Sequence, residues 1–323
     1  MSIIVFGSIN IDLAAKTPRL PQPGETIIGS NFFTAGGGKG ANQAVAAARL
    51  GISTHLIGRV GNDKFAEELL TSLQSYGLNI ENILIDQSTH SGVAIIAVDD
   101  SGQNNIIVIP GANNHVGEAD IEGLKKVLSG ATSLLLQLEI PLKFVLKAAK
   151  VASQAGVRVI LDPAPARSDL PIELYPLIDI ITPNEVEASQ LVGFRVHDTE
   201  TAILAAKQLQ ERGVENVIVK LGDRGAVAVT ADESFFVPAF AVGAIDTVAA
   251  GDAFNGGLAA ALDGGRSLSQ AVVWGCAAGA LCTTKAGAQV AMCDRATFDK
   301  FLQNLDKTAV ETASTQTMSA SAD

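Results

Sequence analysis

Short apolar runs alternate with longer stretches of helical periodicity along almost the whole chain, and that alternation predicts a layered α/β protein with a mostly parallel sheet. Ile3–Phe6 reads as a buried strand, Thr54–Ile57 as a second, and Lys64–Tyr76 as a helix with Phe65, Leu69, Leu70 and Leu73 on one face. From residue 120 the rhythm is regular. Helices are expected near Ile121–Leu128, Leu142–Ala155 and Thr201–Arg212, and strands near Ser133–Leu136, Val157–Leu161, Ile178–Ile181 and Asn216–Lys220. Helices over Gln270–Thr284 and Ala296–Leu305 close the pattern.

Two stretches break the rhythm. Val93–Val98 and Asn105–Ile109 are joined by Asp99-Asp100-Ser101-Gly102, a hairpin signal rather than a crossover helix. Together with a strand expected over Thr26–Phe33, this hairpin predicts a small antiparallel sheet outside the main layer, placed to cover a site or to pair with its copy in a second chain. Ala226–Thr230 and Ser234–Pro238 predict a further hairpin.

Composition narrows the class. Of 323 residues, 47% are hydrophobic and only 5% aromatic, so the core is aliphatic and alanine-rich. The net charge of −11 argues against a nucleic-acid surface, which needs clustered Lys and Arg. Cys276, Cys282 and Cys293 show no C-x-x-C or Cys/His ligand spacing, and His55, His90, His115 and His197 are scattered. The opening MSIIVFGSIN has no basic region before its apolar run, so neither a signal peptide nor a membrane span is expected and a cytoplasmic location is. From about Thr308 the chain is polar, small and poor in core formers, and residues 308–323 are expected to be a disordered tail.

The chemistry concentrates in Ile245–Leu262. Ala249, Ala250 and Gly251 allow a tight turn, and Asp252 falls in the first turn of a helix running through Phe254, Leu258 and Leu262. Free N–H groups at a helix N-terminus make an anion site, and a carboxylate beside it can take a proton from an attacking hydroxyl. The alternative is a plain helix cap. Upstream, the run from Ala35 to Gln43 sets four glycines around Lys39 and is neither a Walker P-loop nor a dinucleotide fingerprint. It suits a backbone that closely approaches a ligand before a helix over Ala44–Leu50. Polar groups also stand at strand ends, where open parallel sheets bind ligands: Asn10 and Asp12, Gln137 and Glu139, Asp162, and Asn184 with Glu187. Asn184 and Glu187 lie three apart at a helix start and can orient a hydrated divalent cation or a phosphate, or merely form a capping box.

The segments GSINID, GGGKGANQA, GVAIIAVDDSGQNNIIVIPGANN, LLLQLE, ITPNEVE, KLGDRGA and DTVAAGDAFNGGL together resemble, in order and spacing, the ribokinase branch of the PfkB carbohydrate kinase family over roughly residues 3–305. The resemblance implies ATP-dependent phosphorylation of the 5-hydroxyl of D-ribose on a doubly wound α/β domain (1–10, 38–92 and 113–307), with a small β lid (11–37 and 93–112) that forms a homodimer contact. It implies Asp252 as catalytic base, and the N–H groups of Ala249, Ala250 and Gly251 as the anion hole. Asn10, Asp12, Gly38, Lys39, Asn42 and Glu139 match sugar-binding positions. Asn184, Lys220, Gly222, Asp223 and Gly251 match the ATP side, with Glu187 tied to Mg²⁺ through water. Asp246, Val248, Cys282, Thr284 and Gly287 match loops that hold an activating monovalent cation, usually K⁺. Two departures stand out: Lys220 occupies a position where the family commonly has threonine, and Val290 and Ala291 follow Gly287 where it often has proline and serine. A kinase for another sugar or a nucleoside is the neighbouring alternative, although the lid offers only Phe32 and Phe33 for stacking. A silent sugar-sensing protein is the alternative of a different class, and the intact AAGD and NEVE segments argue against it.

Overall fold

The computed structural model describes residues 1–304. The tail expected over 308–323, and the last residues of the α/β domain expected to reach 307, lie outside the described residues.

In chain order the elements are β1 (Ser2–Phe6), β2 (Asn10–Thr17), β3 (Asn31–Gly37), α1 (Lys39–Arg49), β4 (Thr54–Gly61), α2 (Lys64–Ser75), β5 (Ile83–Asp86), β6 (Gly92–Asp99), β7 (Asn104–Ile109), α3 (Glu118–Val127), β8 (Ala131–Leu136) and α4 (Leu142–Gln154). There follow β9 (Arg158–Leu161), β10 (Ile180–Ile181), α5 (Glu185–Val192), α6 (Thr199–Glu211), β11 (Asn216–Lys220), β12 (Gly225–Val229), β13 (Ser234–Pro238), α7 (Ala250–Asp263), α8 (Leu268–Cys282) and a last helix, α9, over 295–304.

Nine strands form one sheet in the order β13-β12-β11-β10-β9-β8-β1-β4-β5. Its pairs are parallel except for the hairpin edge, where β11–β12 and β12–β13 run antiparallel. Because β1 is central, both of its faces are covered: Ile3 and Val5 pack into an apolar cluster with α1, α7 and α8, and Ile4 and Phe6 into a second with α3 and α4. This is why β1 is apolar throughout instead of alternating.

The second sheet has four strands in the order β3-β2-β6-β7. The hairpin β6–β7 is antiparallel as the sequence predicts. The third strand differs from expectation: residues 26–30 form no strand, and β3 starts at Asn31. The sheet is also mixed, because β2, absent from the sequence reading, lies at its centre, antiparallel to β3 and parallel to β6. Its apolar positions are diluted by Asn10, Asp12 and Lys16, which hid its strand character. The four-residue β5 was missed too, being short and half exposed.

A fourth difference matters for the site. The first long helix begins at Lys39, inside the glycine run, five residues before the expected start at Ala44. Gly38 makes this possible with φ of 87°, a left-handed backbone that a side chain would strain. At Gly40 a Cβ would come within 2.6 Å of Ser8 N, so only glycine lets α1 start flat against the end of β1. The helix N-terminus is thereby delivered to the carboxyl edge of the sheet. Ser8, Gln137, Asp162, Thr182 and Lys220 arrive there from β1, β8, β9, β10 and β11, the edge at which open α/β sheets bind ligands.

Candidate active site

Asp252 stands in the first turn of α7 and is 5% exposed. Ala249 precedes the helix with φ of 59°, the one non-glycine residue at positive φ among the described residues. Such strain concentrates where a backbone must be held for function. Here it turns the chain so that no protein acceptor takes the N–H of Ala249, Gly251 or Asp252 among the described residues, while Ala250 N–H leans on Thr247 O at 3.3 Å. Both oxygens of Asp252 are held: Asn42 Nδ2 donates to Oδ2 at 2.9 Å and Gln43 Nε2 to Oδ1 at 3.2 Å. Burial pushes the carboxyl up to about 6, with Asp162 adding to the rise and Lys39 and the two amides pulling it down. A carboxylate in that range is ionised at neutral pH yet basic enough to take a proton.

The sugar-side residues named from the sequence converge beside it. Glu139 Oε2 accepts the Lys39 N–H at 3.0 Å at the start of α1 and also the hydroxyl of Ser8. Asp12 reaches the same space from β2; burial, with the charges of Glu139 and Asp252, raises its pKa to about 7. Its carboxylate lies flat over Gly37, where a Cβ would be 2.3 Å from Oδ1. Lys39 balances this cluster. Burial disfavours its ammonium, but Asp252, Asp162, Glu139 and Glu187 outweigh that and raise its pKa. Asn10 is buried, and its Oδ1 accepts from Asn113 Nδ2 at 2.7 Å. Asn113, which the sequence reading did not single out, also bonds both backbone groups of Ile9.

On the other side of Asp252 lies a cavity of about 660 Å³, lined by Lys39, Asp162, Asn184, Glu187, Lys220 and Asp252 at its polar end. Its apolar end is formed by Phe240, Ala241, Val242, Cys276, Gly279 and Ala280. The sequence reading missed that end, because small apolar residues carry no chemical signature; Gly279, whose Cβ would meet Ala250 O at 3.1 Å, was the available hint. Gly222 and Asp223 line the cavity as anticipated. Asn184 and Glu187 do form a reciprocal capping box, each side chain accepting the other's backbone N–H at 2.8 Å. The two readings of this pair are compatible, since the cap engages only one oxygen of Glu187, a buried residue of the cavity wall whose pKa is raised by burial and by Asp162.

The two loops expected to hold a monovalent cation are cross-tied. Asp246 accepts from Val248 N at 3.0 Å and from Gly287 N at 2.9 Å, and Cys282 Sγ donates to Val248 O at 3.7 Å. The Thr284 hydroxyl turns back to Leu281 O, and Val290 is exposed, with no hydroxyl to offer. Among the described residues no group of three or more His, Cys, Asp or Glu gathers as a metal site, so a cation there would rest on backbone oxygens and Asp246. All three cysteines are free and buried, with thiols pushed up by burial to about 11 or 12.

A carboxylate beside partnerless helix-end N–H groups, between a polar pocket and a long cleft on a mostly parallel sheet, is the arrangement of a phosphotransferase with a hydroxyl acceptor. Residues 1–295 match the pfkB family carbohydrate kinases, and the chain belongs to that family. It is 41% identical over 303 residues to a ribokinase of Haemophilus influenzae, covering 94% of this chain and 99% of that one. A deoxyribokinase of Salmonella typhi is 39% identical over 256 residues, covering 79% of this chain and 84% of its own length. Among solved structures, Arabidopsis thaliana ribokinase complexed with ribose and ATP superposes with a TM-score of 0.86 at 34% identity, covering 93% of this chain and 98% of that one.

Proposed function

We propose that the protein transfers the γ-phosphoryl group of ATP to the 5-hydroxyl of D-ribose, giving ribose 5-phosphate and ADP. The observation that carries this reading is Asp252, oriented by Asn42 and Gln43 next to the partnerless N–H groups of Ala249 and Gly251. Asp252 takes the proton of the sugar hydroxyl as that oxygen attacks phosphorus in line. The N–H groups of Ala249, Ala250 and Gly251 stabilise charge on the transferring group, with Ala250 giving up its long bond to Thr247 O. Asn10, Asp12, Gly38, Lys39, Asn42 and Glu139 hold the sugar hydroxyls, a polar set suited to a small polyhydroxylated substrate. The nucleotide occupies the cleft along Asn184, Lys220, Gly222 and Asp223, with its base between Phe240 and the α8 wall.

Glu187, having one carboxylate oxygen outside the cap, would hold a Mg²⁺ ion through water, and that ion would neutralise the phosphates of the nucleotide. A monovalent cation such as K⁺ fits the loops of Asp246, Val248, Cys282, Thr284 and Gly287, where Asp246 supplies negative charge. The small sheet, 11–37 with 93–112, serves as the lid of the α/β domain, excluding water that would compete for the phosphoryl group. Phe32 and Ile107, on the face of this sheet opposite Asp12, are more than half exposed and suit pairing with a second copy. No described helix is long and apolar enough to cross a membrane.

The test is ADP release from Mg-ATP across ribose, 2-deoxyribose, fructose and adenosine, with and without potassium. Ribose is expected to be turned over best, and more slowly without potassium. Preference for 2-deoxyribose would move the assignment to a deoxyribokinase, and no release with any acceptor would sink it.

A further inference from the structure

Lining the nucleotide cleft does not by itself explain why Lys220 is held in a buried ion pair. Lys220 Nζ sits 2.9 Å from Asp162 Oδ1, with the two side chains 13% and 3% exposed. The ammonium is at the edge of the anion hole: a methyl group built on the Cα of Gly251 would be 3.4 Å from Nζ, its one close neighbour outside the adjoining helix turn. Lys220 is fixed from behind, since its N–H donates to Pro183 O at 2.8 Å and β11 bridges there to Asn184. Asp162 is fixed as well. Gln137 Nε2 donates to Gln43 Oε1 at 2.7 Å, which leaves Gln43 Nε2 as the donor shared between Asp162 Oδ2 at 2.9 Å and Asp252 Oδ1 at 3.2 Å. Base, shared amide, second carboxylate and ammonium thus form one continuous chain from the hydroxyl-activating group to the phosphoryl-binding N–H groups.

We propose that Lys220 is a further catalytic residue, contacting the transferring phosphoryl group in the anion hole, and that Asp162 is the positioning residue that stores its ammonium there before the nucleotide arrives. The inference rests on the kinase reading above. A long, flexible side chain ending in three donors can keep Asp162 on one N–H while aiming another at the phosphoryl oxygens. A metaphosphate-like group carries its charge on those oxygens, and a preformed donor in a water-poor site stabilises it without reorganisation. Asp162 takes no part in the reaction; it stops the ammonium from folding onto Glu187 or Asp252, which face the same cleft.

The competing account is that Lys220 only neutralises a buried carboxylate, and one pair of variants separates the two. Lys220→Met removes the donor but strands Asp162; Lys220→Met with Asp162→Asn removes both charges, leaving the site's net charge unchanged and the protein folded, as a melting curve would check. If Lys220 acts on the phosphoryl group, both proteins lose kcat by about a hundredfold. The sugar KM should stay within about threefold, Lys220→Arg should regain part of the loss, and added ethylammonium should restore part of the turnover of the double variant. Asp162→Asn alone should cost less than about tenfold. A double variant within twofold of the parent kcat would overturn the proposal and leave Lys220 as a counter-charge. Should the parent itself phosphorylate no sugar, the kinase reading fails separately, and titration of ATP against ADP decides: selective weakening of ATP in Lys220→Met supports the contact, and equal affinities in parent and variant refute it.

Discussion

Asp252→Asn tests two consequences of one burial. The carboxyl titrates near 3.8 when solvated and is lifted to about 6 in the fold. At roughly 1.4 kcal/mol per unit, the ionised group costs the native state about 3 kcal/mol above pH 7. The sign follows from proton linkage: between these values the native protein holds the proton more tightly than the unfolded chain, so stability falls as pH rises through the window. Asparagine carries no such penalty. It offers one acceptor oxygen where Asn42 and Gln43 now find two; Gln43 keeps Asp162, and Asn42 is left facing a donor, at a cost of about 1–3 kcal/mol. The variant is therefore expected to be less stable than the parent near pH 4.5 and equal or more stable at pH 7.5. About 2 kcal/mol of the penalty develops between these two pH values, so with roughly 2 °C per kcal/mol for a chain of this size the difference in Tm should move by about 4 °C. Turnover should fall by about 10²–10⁴-fold with the sugar KM little changed, since only the proton acceptor is gone. Melting curves of both proteins at four pH values, with steady-state kinetics at pH 7.5, supply the readouts. A variant within tenfold of the parent kcat, or a Tm difference that ignores pH, would refute the argument.

Three further outcomes are expected. Because Asp252 is raised to about 6 and Asp12 to about 7, kcat/KM for the sugar should fall as pH drops below about 7 and steeply below 6; a flat profile to pH 5 with folded protein would contradict the role of either group. Gly92→Ala would set a methyl 2.1 Å from Asn10 Oδ1 and 2.2 Å from Asn113 Nδ2, so the sugar KM should rise about tenfold while the KM for ATP stays put; an unchanged sugar KM would remove Asn10 from the sugar pocket. Phe298, fully buried and 4.8 Å from the Trp274 ring in an edge-on contact, anchors α9; Phe298→Ala should cost about 3–5 kcal/mol, read in urea unfolding, without altering kcat per folded molecule.

The sequence made the main layer readable because central parallel strands are apolar on both faces and the helices between them repeat every three to four residues. It misled where polarity serves the site. β2 carries Asn10 and Asp12 into the pocket and so lost its strand pattern, and α1 starts among glycines that look like a loop until Gly40 is seen to be the only residue that fits against Ser8. The residues named as chemistry do converge, because each stands at a strand end or a helix start that the α/β order sends to one edge. What no local pattern revealed were contacts across long sequence separations: Asn113 on Asn10, Gln43 between Asp162 and Asp252, and the pair of Asp162 with Lys220.

Those distant contacts bear on how the site manages charge. Among the described residues, Asp12, Glu139, Asp162, Glu187 and Asp252 meet two ammonium groups there, Lys39 and Lys220. A pocket with an excess of carboxylates does not attract a bare polyphosphate; it favours one that brings its own cation. Burial first, with the neighbouring carboxylates adding to it, lifts Asp12 to about 7 and Asp252 to about 6, which makes Asp252 a better base than a solvated aspartate. Lys39, reaching Glu139 on the sugar side and Asp162 and Glu187 on the nucleotide side, senses both pockets at once. On the proposed reading, the carboxylates assigned to the sugar and to the proton also set the condition under which the nucleotide is admitted. On that reading, burial gives Asp252 its basicity, and the crowded negative charges around it select a nucleotide that arrives with its cation.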